Sequence, residues 1–237
     1  MSSFAELILS GVVVGATIAL TLWTLANQRR LVEKVRGSAI GRKIQGGRPF
    51  RQVGKSKIEV DIPKRGKITD GPYLVSTVFG AGFLRPASGT WASAFAVALG
   101  VAAYEAGFAL LVPIGAVAAT VLGFLAVPPY LRATGGEDPS EVVIDEVAGQ
   151  WLALSFTVLP LWWHGVPNLL TGAWPGWVVP FLLFRLFDIW KPGLVGRADR
   201  RGDPAGVMLD DLWAGLFAGI GSIVLAGAYH GAMAWLS

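Results

Sequence analysis

Apolar runs of about twenty residues recur along this chain, at residues 7–26, 108–127, 147–163, 174–190 and 212–235, with a shorter run at 91–104. Twenty helical residues cross the ~30 Å hydrocarbon layer of a bilayer. The pattern predicts an all-α fold, a polytopic integral membrane helical bundle of about six transmembrane helices, with one N-terminal anchor ahead of a five-helix core. Composition agrees, since 53% of the 237 residues are hydrophobic, 15% are charged and ten are Trp, far from the usage of a soluble domain. With no Cys, and only His164 and His230 as imidazoles, disulfides, thiolate metal sites and multi-histidine metal sites are excluded.

The formal charge of +4 is unevenly spread. Thirteen of the 20 Lys and Arg lie between Arg29 and Lys67, and from Ile68 onward 7 bases face 12 acids. Three regions follow: an anchor at residues 1–28, a basic cytoplasmic linker at 29–69, and a membrane-embedded domain at 70–237. Anionic membrane lipids are the expected partner of the linker, and no nucleic acid is implied by the high pI. Gly11 and Gly15 stand in a G-x-x-x-G spacing that lets a second helix approach closely, so a homodimer through the anchor is one expectation.

Positive residues flanking a span stay in the cytoplasm. With residues 29–67 on that side, alternation puts residues 80–89, 132–146 and 191–211 on the same face. The opposite face receives residues 104–107 and the turn at 164–168. Nearly every ionic cluster of the body then converges at one end of the bundle. The densest lies in residues 181–211, where one apolar helix runs into Arg185, Asp188 and Lys191, a broken loop adds Arg197, Asp199, Arg200, Arg201 and Asp203, and the next helix is expected to open on Asp210 and Asp211.

Carboxylates gathered at a membrane interface without thiols or imidazoles suit a hard cation, and Mg²⁺ held by a few carboxylates and substrate phosphate is the usual case. The candidates are Asp145, Glu146, Asp210 and Asp211, with Asp188 as a further ligand or orienting group. Each pair also reads as helix capping. Arg185, Asp188 and Lys191 fall at i, i+3 and i+6, which sets Asp188 near both bases if the helix continues to Trp190, either as a satisfied ion pair or with the bases gripping a phosphate. Ser88, Gly89 and Thr90 offer hydroxyls and backbone N–H groups before a helix, as a cap or as a phosphate cradle.

Three motifs in order carry a resemblance: GAGFLRPASGT at residues 80–90, EDPSEVVIDEVAGQW at 137–151, and FRLFDIWKPGLVGRADRRGDPAGVMLDDLWAGL at 184–216. The chain resembles the phosphatidylglycerophosphatase A family of Mg²⁺-dependent membrane lipid phosphatases over roughly residues 74–226. The resemblance implies hydrolysis of phosphatidylglycerophosphate to phosphatidylglycerol and phosphate, in phospholipid biosynthesis, in an inner (plasma) membrane with the site facing the cytoplasm. It implies catalytic roles for Asp145, Glu146, Asp188, Asp210 and Asp211, with Mg²⁺ on Asp145, Glu146, Asp210 and Asp211. It places Thr90, Arg185, Lys191 and Arg200 on the substrate phosphate. Gly196, Arg197 and Ala198 depart from the aromatic residues expected before Asp199.

Other readings of the same residues are a CDP-alcohol phosphotransferase, whose D-x-x-D-G…D-x-x-x-D helix is absent, a cation transporter using the same carboxylates, and a membrane-anchoring scaffold. The converging acids speak against a scaffold, and their position at helix ends rather than at the midplane speaks against a translocation path.

Overall fold

The computed structural model describes residues 70–84, 86–135 and 139–236. The N-terminal anchor, the linker, the Gly11 and Gly15 contact, and the acids Glu137 and Asp138 lie outside the described residues. Among those described, the chain forms seven α-helices and one short 3-10 turn, with no strand. The helices are α1 (Gly71–Ser76), α2 (Ser88–Glu105), α3 (Leu111–Thr134), α4 (Ile144–Trp163), α5 (Pro175–Trp190), α6 (Leu194–Asp199) and α7 (Pro204–Leu236). Two of them, α3 and α7, are long and apolar enough to cross a membrane.

Helix α4 is the centre of the bundle and touches α2, α3, α5 and α7. Glycines allow its closest approach. A methyl on Gly149 would meet the Asp211 carbonyl oxygen at 2.5 Å and the Phe184 ring at 2.6 Å, and one on Gly215 would run into the backbone of Gly149. The α4 and α7 backbones are therefore in direct contact, and they meet at the level of the acids. On the side facing α2, the Trp151 indole N–H donates to the Ala96 carbonyl at 2.7 Å.

Two expected boundaries move. Pro128 and Pro129 do not stop the preceding helix, because α3 runs on to Thr134. Leu125, Ala126 and Val127 are wholly buried, so packing holds the helical path past two residues that cannot donate a hydrogen bond. Helix α7 starts at Pro204 rather than beside Asp210. Asp203 precedes it and accepts from Gly206 N at 2.7 Å, a capping arrangement that the acids further along do not provide. Asp210 and Asp211 thus stand about two turns inside a helix.

Both ends of the bundle gather the segments expected of them. At one end Tyr104 Oη donates to the Val166 carbonyl at 2.5 Å, and Leu170 N donates to Glu105 at 2.8 Å. At the other, three hydrogen bonds pin the approach to α4: Val143 N to the Ser76 carbonyl at 2.9 Å, Ser88 Oγ to the Ser140 carbonyl at 2.5 Å, and Tyr130 Oη to Glu141 at 3.1 Å.

Candidate active site

The first turn of α4 carries Asp145 and Glu146, and the direct contact at Gly149 and Gly215 brings α7 close enough for Asp211 to join them. Ligand-capable oxygens of Asp145, Glu146 and Asp211 all lie within 4.8 Å of one another. Asp145 and Asp211 are buried, Glu146 keeps one oxygen, Oε2, buried without a partner, and among the described residues no salt bridge reaches any of the three. Three carboxylates this close and this dry repel one another unless protons or a cation intervene. An all-oxygen donor set of this kind fits Mg²⁺.

Asp210 has a different neighbour. Its Oδ1 accepts from Asp211 N at 3.0 Å, and its Oδ2 receives Lys191 Nζ at 3.1 Å. Lys191 follows the last turn of α5 in a left-handed conformation, φ 52°. That turn sends its ammonium to Asp210 and Asp199. The helix does continue to Trp190, yet the i, i+6 spacing does not bring Lys191 to Asp188 as expected, because the left-handed turn at Lys191 takes the side chain off the helical path. Burial alone would pull the ammonium down, but its bonds to Asp199 and Asp210 outweigh that and hold it well above its ordinary value.

Arg185 does meet Asp188, with Nη1 and Oδ2 2.7 Å apart. The same Nη1 stands 3.4 Å from Ser93 Oγ of α2, while Arg185 Nε is buried without a partner. Asp188 lies within electrostatic reach of Glu146, Asp210 and Asp211. Opposite, α2 begins at Ser88 with no side-chain cap on its first turn. Ser88 sends its hydroxyl to Ser140 instead, so neither Ser88 nor Thr90 acts as the expected cap. The backbone at Gly89 lies against Glu146 and Arg185, since a methyl there would collide with Glu146 Oε1 and sit 3.3 Å from Arg185 Nη1.

The structure thus draws Asp145, Glu146, Asp188, Asp210, Asp211, Arg185 and Lys191 into one constellation, with Thr90 in the turn beside it. Arg200 is exposed, and its guanidinium lies near Gly196. Arg201 bonds Asp203 through Nε at 3.1 Å and Nη2 at 2.9 Å. Two residues escaped the sequence reading. Ser93 looks like an ordinary small residue of an apolar helix, whereas Gln150, a polar side chain four residues after Glu146 in an apolar run, was a visible signal.

Buried acids, flanking cations and an uncapped helix start thus gather at one end of an apolar helical bundle, a set of groups suited to a phosphate beside a carboxylate centre. The family model for phosphatidylglycerophosphatase A matches residues 74–226. The chain belongs to the phosphatidylglycerophosphatase A family, and so to the phosphatases of phosphoric monoesters. A Haemophilus influenzae protein named phosphatidylglycerophosphatase A is 29% identical over 62% of this chain and 83% of its own length. A Bacteroides thetaiotaomicron protein, whose name provisionally assigns it phosphatidylinositol-3-phosphatase activity, is 33% identical over 62% of this chain and 88% of its own. The phosphatidylglycerophosphatase A of Escherichia coli is 32% identical over 35% of this chain and 42% of its own. No solved structure matches the chain.

Proposed function

We propose that the protein hydrolyses the terminal phosphate of phosphatidylglycerophosphate, giving phosphatidylglycerol and inorganic phosphate, as a Mg²⁺-dependent enzyme of phospholipid biosynthesis integral to the inner membrane. The observation that carries this reading is the contiguity of the Asp145, Glu146 and Asp211 oxygens with Arg185 and Lys191, an arrangement suited to neutralising a phosphomonoester.

Asp145, Glu146 and Asp211 would hold the metal, with Asp210 beside them and Asp188 orienting. When bound, Mg²⁺ supplies charge neutralisation and makes water a better nucleophile. Arg185 and Lys191 bind the phosphate oxygens, and the free N–H groups at the start of α2 and the Thr90 hydroxyl cradle the remaining ones. Glu146, whose Oε1 lies against the Gly89 backbone at the start of α2, is the acceptor for the proton that water gives up as it attacks phosphorus, and the bond from phosphorus to the glycerol oxygen breaks as that oxygen takes up a proton and leaves as a hydroxyl of phosphatidylglycerol.

The family and the two long apolar helices support membrane association. Large apolar side chains also face outward on other helices, among them Phe95 and Leu99 on α2 and Leu182, Leu186 and Ile189 on α5. These faces favour reading α2 and α5 as further crossings, and α4, packed against both, as another, which with the N-terminal run restores a count of six. The basic linker favours a cytoplasmic site and anionic lipids as its partner.

The test is phosphate release by the purified full-length protein from phosphatidylglycerophosphate, phosphatidylinositol 3-phosphate and phosphatidate, each with Mg²⁺ and with chelator. Release from phosphatidylglycerophosphate that chelation abolishes is the expected result. A clear preference for phosphatidylinositol 3-phosphate transfers the reading to that lipid, and activity that persists in chelator removes the metal from it.

A further inference from the structure

Gln150 has no part in the roles above, yet it stands in the second turn of α4, fully buried, with both its amide oxygen and its amide nitrogen unpartnered. Native proteins rarely leave a buried amide empty on both sides. Where it points follows from its neighbours. At about 100° per residue on an α-helix, Gln150 lies between the direction of Gly149, which meets Phe184 and Asp211, and that of Trp151, which bonds Ala96 of α2. Glu146, one turn earlier on the same stripe, borders Gly89 of α2 and Arg185 of α5. Thr157, two turns later, donates to the Gly176 carbonyl at 2.5 Å, again on α5. The stripe therefore faces the seam of α2 and α5, which the contact between Arg185 and Ser93 bridges.

Two more buried polar atoms border this seam without partners, Glu146 Oε2 and Arg185 Nε. The set is chemically mixed. Arg185 Nε and Gln150 Nε2 only donate, and Glu146 Oε2 and Gln150 Oε1 accept. A metal ion would satisfy only the acceptors and a phosphate oxygen only the donors. A hydroxyl satisfies both.

We infer that the seam between α2, α4 and α5 is a binding site for a hydroxyl group, held by Gln150 together with Glu146 Oε2 and Arg185 Nε. The hydroxyl has two sources, an ordered water or the free hydroxyl of the substrate's head group, and the second rests on the proposed lipid substrate. In either case Gln150 is a positioning residue, since it orients Glu146 and Arg185, or the head group, without touching the phosphorus. A buried water makes about three hydrogen bonds, which this set can supply.

Gln150→Met keeps the length and removes both hydrogen-bonding atoms. Its kcat/KM is measured on phosphatidylglycerophosphate and on the analogue built on 1,3-propanediol, which lacks the head-group hydroxyl, alongside the melting temperature in detergent. A resident water predicts a lower melting temperature and an equal loss on both lipids, roughly 10–100-fold, as for other supporting residues around a metal centre. A head-group hydroxyl predicts an unlowered melting temperature and a loss confined to phosphatidylglycerophosphate. Unchanged kcat/KM on both lipids, or a raised melting temperature with equal losses, overturns the inference. If Gln150→Met does not fold, Gln150→Asn, which draws the amide back by one methylene, takes its place, and wild-type kinetics then overturn it. If the wild-type protein releases phosphate from neither lipid, the proposed substrate fails on its own, and the melting temperature alone decides for or against a bound water.

Discussion

Asp145, Glu146 and Asp211 crowd together with no base among the described residues bonded to any of them, whereas Arg201 and Asp203, on the loop between α6 and α7, pair in the open with side chains 41% and 45% exposed. The exposed pair has good geometry and little thermodynamic weight, because water and salt screen it and two long side chains must be held still. The buried trio has the opposite character. Packing at Gly149 and Gly215 forces it together against its own repulsion, and such an expense is typical of groups kept for chemistry rather than for stability.

The sharpest way to break this contrast is to neutralise a buried acid. Asp211→Asn should abolish phosphate release while leaving the melting temperature in detergent unchanged or raised, because one of three mutually repelling charges is gone. Full activity in a folded Asp211→Asn protein would remove the acid from the centre. Glu146→Gln should lower kcat on the order of 10²–10⁴-fold, the usual contribution of a positioned proton acceptor, with a smaller change in KM. Next comes the packing that assembles the trio. Gly149→Ala should destabilise by about 1–3 kcal/mol through overpacking and should also lower activity, since α7 must shift away from α4. If activity is retained, the spacing of these helices does not set the centre.

At the weak end, Arg201→Ala should cost less than about 1 kcal/mol near neutral pH, and less again at high salt. The hydrogen bond from Arg201 holds the Asp203 carboxyl below its ordinary value. Its contribution is therefore present above the ordinary carboxylate pKa of about 4 and fades as pH falls through the lowered one. Unfolding curves of wild type and Arg201→Ala should accordingly differ at pH 7 and converge in strong acid. A difference that grows on acidification would contradict the assignment.

The helix bodies and the gathering of ionic segments at one end were legible because hydropathy period and charge placement are local signals that burial only reinforces. What stayed hidden depends on tertiary contact. Nothing near Pro128 and Pro129 announces that the buried stretch at Leu125, Ala126 and Val127 carries the helix past them. Asp203 as the residue that opens α7, and hence Asp210 and Asp211 as interior positions, was masked by a second acidic pair that mimics a helix start. The left-handed turn at Lys191, which swings the ammonium toward Asp210, is a conformation that a Lys in sequence does not suggest. The pairing of Gly149 with Gly215 joins helices far apart in the chain, so no local pattern reports it.

The length of α7 has a mechanical consequence. From Asp211 to its end at Leu236 the helix continues for about 37 Å at 1.5 Å per residue, against a hydrocarbon layer of ~30 Å. Across a bilayer, α7 would carry a hydrophobic mismatch that tilt must absorb. Its distal part is exposed along its length, with Tyr229 and Trp235 suited to an interface, while its near part is fixed to α4. Tilt in α7 would thus act as a lever on Asp211, tying turnover to bilayer thickness. Vesicles of short and long acyl chains should give different rates at equal surface concentration of substrate.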